Sequence, residues 1–188
     1  MKKYSIIAVL VMLSFSLFAD GDITKGLKYN PNRESGNVGN AINVFAGLGR
    51  VRSSSMGIDL GADLEIQAFI PNLTIGPSAG LGIRSYNYGH WVDGTYYSTT
   101  SQLDFFGGAS VHYYFDWLIP SMPDEFDVFI TNTAGYGMVT YGSGRSSYGY
   151  FDFDTHVGGR WNFSEAFSLY AKVGYGRTNV SVGLSSKF

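Results

Sequence analysis

The 188-residue chain contains no cysteine, so it can form neither a disulfide nor a thiolate metal site. Positive charge is not in excess either: thirteen Lys and Arg against fifteen Asp and Glu leave a formal net charge of −2. That balance provides no basic footprint for nucleic acid, and none is expected as a partner. After residue 18 no long apolar run occurs, so nothing downstream has the roughly 20 apolar residues of a membrane-spanning helix. Histidine is limited to three positions, His90, His112 and His156. None is followed two positions on by serine, since Trp91 and Val92, Tyr113 and Tyr114, and Val157 and Gly158 come after them.

What is abundant is glycine (25), tyrosine (14) and phenylalanine (14). The mean hydropathy of +0.00 is ordinary for a soluble protein. A transmembrane β-barrel shows the same value, because its lipid-facing and lumen-facing residues alternate and cancel.

The N-terminus MKKYSIIAVLVMLSFSLFADG joins a basic start at Lys2 and Lys3 to an apolar run from Ile6 to Phe18 and a small residue at Ala19. This is the layout of a secretory signal peptide, residues 1–19, with cleavage expected after Ala19. Its loss removes two lysines and no acid, taking the formal charge from −2 to −4. Residues 20–39 are polar and rich in Gly and Asn, and read as a flexible lead-in to a single domain over 40–188.

From Asn40 onward the apolar period is two, broken by Gly, Asn, Ser and Pro clusters, the pattern of successive strands and turns. It predicts eight strands, over 40–49, 57–69, 73–86, 101–117, 126–141, 147–163, 167–176 and 179–188. Strand five alternates least cleanly. The connections after strands two, four and six are PN, LIPSMPDE and NFSEA. Those after strands one, three, five and seven are RVRSSSM, NYGHWVDGTYYSTT, GSGRS and RTN. Shorter turns at one rim and more elaborate loops at the other suit an up-and-down barrel, although LIPSMPDE and RTN depart from that contrast.

The alternation leaves open which face meets water. Strand two sets Ile58, Leu60, Ala62, Leu64 and Ile66 against Asp59, Asp63, Glu65 and Gln67. Strand six sets Phe151, Phe153, Val157, Trp161 and Phe163 against Asp152, Asp154, His156, Arg160 and Asn162. A soluble barrel or sandwich would turn the apolar set inward, crowding ten large aromatic side chains into a space that holds only modest ones. The complementary set is polar and glycine-rich, with Gly61, Gly80, Gly82, Gly158 and Gly174 among its members. Aliphatic residues occupy strand middles and aromatic ones strand ends, as in the girdles of membrane barrels. The expected fold is therefore all-β, an eight-stranded antiparallel up-and-down transmembrane β-barrel with its apolar set on lipid.

On the signal peptide, the stretch DTHVGGRWNFSEAFSLYAKVGYGRTNVSVGLSSKF (154–188) and its terminal aromatic, the chain resembles the small outer-membrane barrels of diderm bacteria of the OmpA/OmpX-like type. The resemblance implies an outer-membrane location, outer-membrane lipid and the barrel-assembly machinery as partners, and Phe188 as the assembly signal. That family spans adhesins, resistance proteins and enzymes, so fold alone does not settle function.

Asp59, Asp63, Glu65, Arg84, Asp104, His112, Asp152, Asp154, His156, Arg160, Lys172 and Lys187 are expected to form a lumenal charge network, since a buried charge without a partner is costly. Asp152, Asp154 and His156, with Asp104, His112 or Asp116 nearby, have the donor types of a metal site. The network is the preferred account, and no metal, cofactor or catalytic residue is expected. The loop 86–100 holds Tyr88, His90, Trp91, Tyr96 and Tyr97, side chains suited to contacting an extracellular ligand or to anchoring the barrel at the rim. The expected protein is monomeric, with both termini on the periplasmic side, and has a structural or surface-interaction role. The competing readings are a lipid-modifying enzyme and a small solute pore. The inside-out assignment makes Leu64→Arg costly, and Glu65→Gln is expected to be milder.

Overall fold

The computed structural model of the chain describes residues 39–49, 57–86, 91–92, 95–96, 100–119, 122–141 and 147–188. The signal peptide and most of the lead-in expected from the sequence lie outside these residues, as do Tyr88, His90 and Tyr97.

Eight long strands close into one antiparallel barrel: β1 (Ala41–Gly49), β2 (Gly57–Gln67), β3 (Leu73–Tyr86), β4 (Thr100–Tyr114), β5 (Phe126–Tyr141), β6 (Tyr148–Asn162), β7 (Phe167–Tyr175) and β8 (Thr178–Lys187). Each pairs with its chain neighbours, and β1 pairs with β8 from Ala41↔Lys187 to Gly49↔Thr178, so the sheet has no free edge. Closure removes the exposed ladder of backbone donors and acceptors that an open sheet would carry into lipid.

The strands follow the predicted intervals within a few residues. The fourth stops at Tyr114 instead of 117, and a short 3-10 turn, Asp116–Leu118, follows. Two residues of the RTN connection are not loop, because β8 begins at Thr178 and the turn before it is made by Gly176, at φ +146°, and Arg177. Inside the connection after β3, Trp91–Val92 pairs with Thr95–Tyr96 as a small separate ribbon.

Alternation places the carboxylates inside. On β2, Ile58 is 60% exposed and Asp59 0%; on β7, Val173 is 61% exposed and Lys172 7%. The outward face carries Ile42, Val44, Leu60, Ile75, Ile83, Phe105, Leu169, Val182 and Leu184, all well exposed. The buried apolar core is small by comparison, a cluster of Phe45, Tyr114, Phe129 and Tyr170 within the barrel. The molecule is thus inverted relative to a soluble barrel, which hides its large apolar side chains.

Two rims follow from the pairing. The start of β1 lies level with the end of β8, and residues 68–72, 115–119, 122–125 and 163–166 lie at this terminal rim. The ends of β1, β3 and β5 and the Gly176–Arg177 turn lie at the opposite, loop rim. At the terminal rim the β2–β3 hairpin is tied by Ala68 N donating to Leu73 O at 2.9 Å and by Asn72 in the left-handed region, φ +61°.

Candidate functional site

The inward residues of all eight strands make the candidate site. Parity along each strand decides membership: Asn43 and Phe45, Asp59, Asp63 and Glu65, Thr74 and Ser78, Asp104, Ser110, His112 and Tyr114, Asp152, Asp154, His156 and Arg160, and Ser168, Tyr170 and Lys172 are all buried on the inner face.

Towards the terminal rim, Glu65 is the hub. Its Oε1 accepts from Asn43 Nδ2 at 2.7 Å and from Arg160 Nη2, and its Oε2 accepts from Thr74 Oγ1 and Tyr114 OH, both at 2.6 Å. Asn43 also donates to Asp63 Oδ1 at 2.6 Å and accepts from Arg160 at 3.4 Å. The Arg160 guanidinium lies over the Tyr114 and Phe129 rings at 5.3 and 5.6 Å, and Lys172 Nζ lies over the Phe45 ring at 4.1 Å. These cations therefore face ring quadrupoles as well as carboxylates. At the rim itself, Lys187 Nζ is 4.0 Å from Asp127 Oδ2, which also accepts from Asn162 at 2.9 Å.

Towards the loop rim the partners change. Arg84 Nη2 bridges Asp104 at 2.9 Å and Asp59 at 3.4 Å, while Tyr150 OH donates to Asp104 Oδ1 at 2.6 Å. Arg177 reaches to 4.0 Å from Asp59 and covers the Phe106 ring at 4.8 Å, and its backbone N–H donates to Asp154 at 2.6 Å. His156 Nε2 donates to Thr178 O at 2.6 Å.

Arg177 was not among the expected lumenal residues, because RTN reads as a loop; it is 3% exposed and inside. The support that Asn43, Thr74 and Tyr114 give Glu65 was also missed, although their strand parity marks them as inward. Aromatic side chains share the lumen with the charges: Phe45, Phe106, Tyr114, Phe129 and Tyr170 are buried inside. Glycines make the room. The missing Cβ of Gly61 faces the Phe45 ring, that of Gly158 the Phe129 ring, and that of Gly183 the Tyr170 ring. Inward glycines thus receive rings across the lumen, where sequence parity suggested only small side chains and water.

Two constellations have the right atoms for chemistry. The metal donors weighed from sequence, Asp152, Asp154 and His156, turn to separate partners. The structure instead brings ligand atoms of Asp63, Glu65 and His112 within 4.8 Å of one another. Both Glu65 oxygens there are already taken by four protein donors, so an ion would have to displace them. The second is Ser110, His112 and Asp63: His112 Nε2 lies 3.3 Å from Ser110 Oγ and 3.3 Å from Asp63 Oδ1. A catalytic relay needs the two contacts on different ring nitrogens, because one nitrogen cannot donate to the carboxylate and accept the hydroxyl proton at once. Ser110 is also only 1% exposed.

The remaining expected residues are rim elements. Phe188 is exposed, and its N–H donates to Asn40 O at 3.1 Å, which ties the chain end to the start of β1. Trp91 and Tyr96 face each other as backbone partners in the loop-rim ribbon.

No family model matches the chain, and no curated protein does. Among solved structures it is similar to Neisserial surface protein A, with a TM-score of 0.48 and 13% identity, over 79% of this chain and 94% of that one. It is also similar to the N-terminal β-barrel domain of Pseudomonas aeruginosa OprF, with a TM-score of 0.46 and 11% identity over 82% and 100% of the two chains. A third is the Yersinia pestis outer membrane protein Ail in a phospholipid bilayer nanodisc, with a TM-score of 0.43 and 15% identity over 80% and 99%. These are small barrels of the kind the sequence resembles. The fold stands on the chain's own strand pairing: a closed eight-stranded antiparallel β-barrel.

Proposed function

We propose that this chain is an integral outer-membrane protein that spans the bilayer as a barrel, keeps its lumen closed with bonded charges and rings, and serves a structural or surface-interaction role through its loop rim. The observation that carries the reading is the inversion of the sheet: the exposed Ile, Leu, Val and Phe side chains ring the outside while carboxylates and guanidinium groups are buried within. Water would strip such a molecule of its stability; hydrocarbon would not. On this reading outer-membrane lipid is its surroundings, the assembly machinery reads Phe188, and the 86–100 loop meets an extracellular ligand.

Closure of the lumen follows from the cost of unpaired charge. Asp59, Glu65, Asp104 and Arg160 are all at most 1% exposed, and lining an open channel with them would mean breaking the contacts that hold them. Some room is left for bound water, since Ser181 Oγ, Ser185 Oγ and Thr131 Oγ1 are buried without a protein partner.

Refolding of the mature chain into phosphatidylcholine vesicles, followed by planar-bilayer recording, tests both parts. Heat-modifiable folded protein with no steady conductance is the expected result. Porin-like steps would overturn the closed lumen, and a chain that stays soluble or aggregates beside the vesicles would overturn the membrane reading. Exchange of residues 87–99 for a short Gly-Ser turn should leave folding intact and remove surface binding.

A further inference from the structure

The outward positions of β5 run Phe126, Val128, Ile130, Asn132, Ala134, Tyr136 and Met138, which places one carboxamide in an otherwise apolar stripe. Its cross-strand neighbours are Val111 on β4 and Thr155 on β6. Thr155 Oγ1 donates to Asn132 Oδ1 at 2.9 Å, and among the described residues the Asn132 amide nitrogen has no acceptor. Six residues separate Asn132 from Phe126 at the terminal rim. At roughly 3.3 Å per residue and a tilt near 40°, that is about 15 Å up an apolar band roughly 25 Å tall, hence close to mid-depth. On the outward strand positions between the rims, no other described residue carries a carboxamide or a charge.

A bare amide N–H at that depth has neither water nor lipid headgroup to bond, and leaving it so is costly. The wall beside it is unusually low. Pro77, Ala109 and Ala134 lie in one cross-strand row, and Ala62, Ala79 and Gly107 in the next. Beyond them is a shallow depression of about 600 Å³ edged by Leu60, Leu81, Phe105, Tyr136 and Met138. A Cβ built on Gly107 would meet nothing within 4 Å, so this part of the wall is open.

We propose that the β3–β5 wall docks a second copy of this chain within the membrane, with the two Asn132 carboxamides bonded reciprocally across a two-fold axis. The occupant follows from the chemistry: a carboxamide holds both donor and acceptor, so it is complementary to itself in an isologous contact, which acyl chains cannot match. Polar side chains that bond across an interface and small residues that permit close approach are the two means by which membrane-embedded surfaces associate without a hydrophobic driving force. The contact rests on the membrane reading above and replaces the expected monomer with a weak dimer.

Because the chain lacks cysteine, single-cysteine variants report the contact cleanly. Ala134→Cys stands beside Asn132, and Val44→Cys on β1 stands on the opposite side of the barrel. Each is refolded into phosphatidylcholine vesicles, checked for heat-modifiable folding, and oxidised at low protein-to-lipid ratio. Ala134→Cys should give at least fivefold more disulfide dimer than Val44→Cys, and adding Asn132→Val should lower that yield at least fivefold. Equal yields at the two sites, or a yield indifferent to Asn132→Val, would overturn the proposal. So would cross-linking of Ala134→Cys in native membranes only to a protein of different mass, which would assign the wall to another membrane partner. Folded, inserted protein that stays monomeric refutes the docking alone, whereas failure to insert refutes the membrane reading and the docking together.

Discussion

The two halves of the lumen solve the same problem, burial of charge, with different tightness. In the terminal half, Glu65 is saturated by four donors, Asp63 shares Asn43 with it, and Arg160 is 1% exposed and covered by Tyr114 and Phe129. In the loop half, Arg84 has a 17% exposed side chain and is stretched between Asp104 at 2.9 Å and Asp59 at 3.4 Å, with Arg177 a further 4.0 Å from Asp59. Charge is balanced differently as well. Asp59 and Asp104 share Arg84, and Asp59 and Asp154 both meet Arg177, whereas Asp63 meets His112, Glu65 meets Arg160 and Asp127 meets Lys187. Short, multiply bonded contacts make the terminal half a plug. Longer ion pairs leave the loop half adjustable.

Breaking the hub should have the largest effect. Glu65→Gln keeps the shape but leaves Arg160 buried without its counter-charge, at a cost of about 3 to 5 kcal/mol. Urea titration of vesicle-refolded protein reads this directly. The sequence-based ranking, in which Glu65→Gln is milder than Leu64→Arg, is accordingly revised, because only the three-dimensional contacts show how many donors converge on that carboxylate. The double variant Glu65→Leu with Arg160→Met should recover most of the loss, since removing both members of a buried pair is often near neutral. If it is as unstable as Glu65→Gln, the hub is not organised around that ion pair.

A lipid-facing substitution comes next. Leu60→Arg puts a cation on hydrocarbon and should cost about 2 to 4 kcal/mol in the same titration. No loss would contradict the inverted facing of both halves. In the loop half Arg84→Met should cost less, about 1 to 2 kcal/mol, because Asp104 keeps Tyr150 and Asp59 keeps Arg177. A loss as large as that of Glu65→Gln would erase the contrast between the halves. Outside the lumen altogether, Asn72→Gly relieves a left-handed residue in the β2–β3 turn and should stabilise by only about 0.5 kcal/mol, seen as a small upward shift of the urea midpoint.

Much of the site was legible because parity is local. Asp59, Asp63, Glu65, Asp104, His112, Asp152, Asp154, His156, Arg160 and Lys172 are inward members of strands whose alternation can be counted residue by residue. Arg177 escaped because the register shift at Leu48/Gly49 and the left-handed Gly176 carry the turn's residue back under the barrel mouth. The inward rings sit at inward parity, but which glycine receives each ring depends on the register between strands. The irregular pattern of β5 also has its reason: Phe129 and Val139 point inward while Asn132 points out.

By itself the sequence determined where the strands run, which side chains share a face, and that the apolar face could not be the inner one. These are consequences of a pleat with a period of two residues and of how little a narrow barrel can hold. Only the tertiary structure decided which inward residues meet. Glu65 and Arg160 are 95 positions apart, and Asn43 and Arg160 are 117 apart. Their contact depends on the register of every strand pair around the ring and on the closure of β8 onto β1. A slip of one residue in any of those pairs would turn a whole strand inside out.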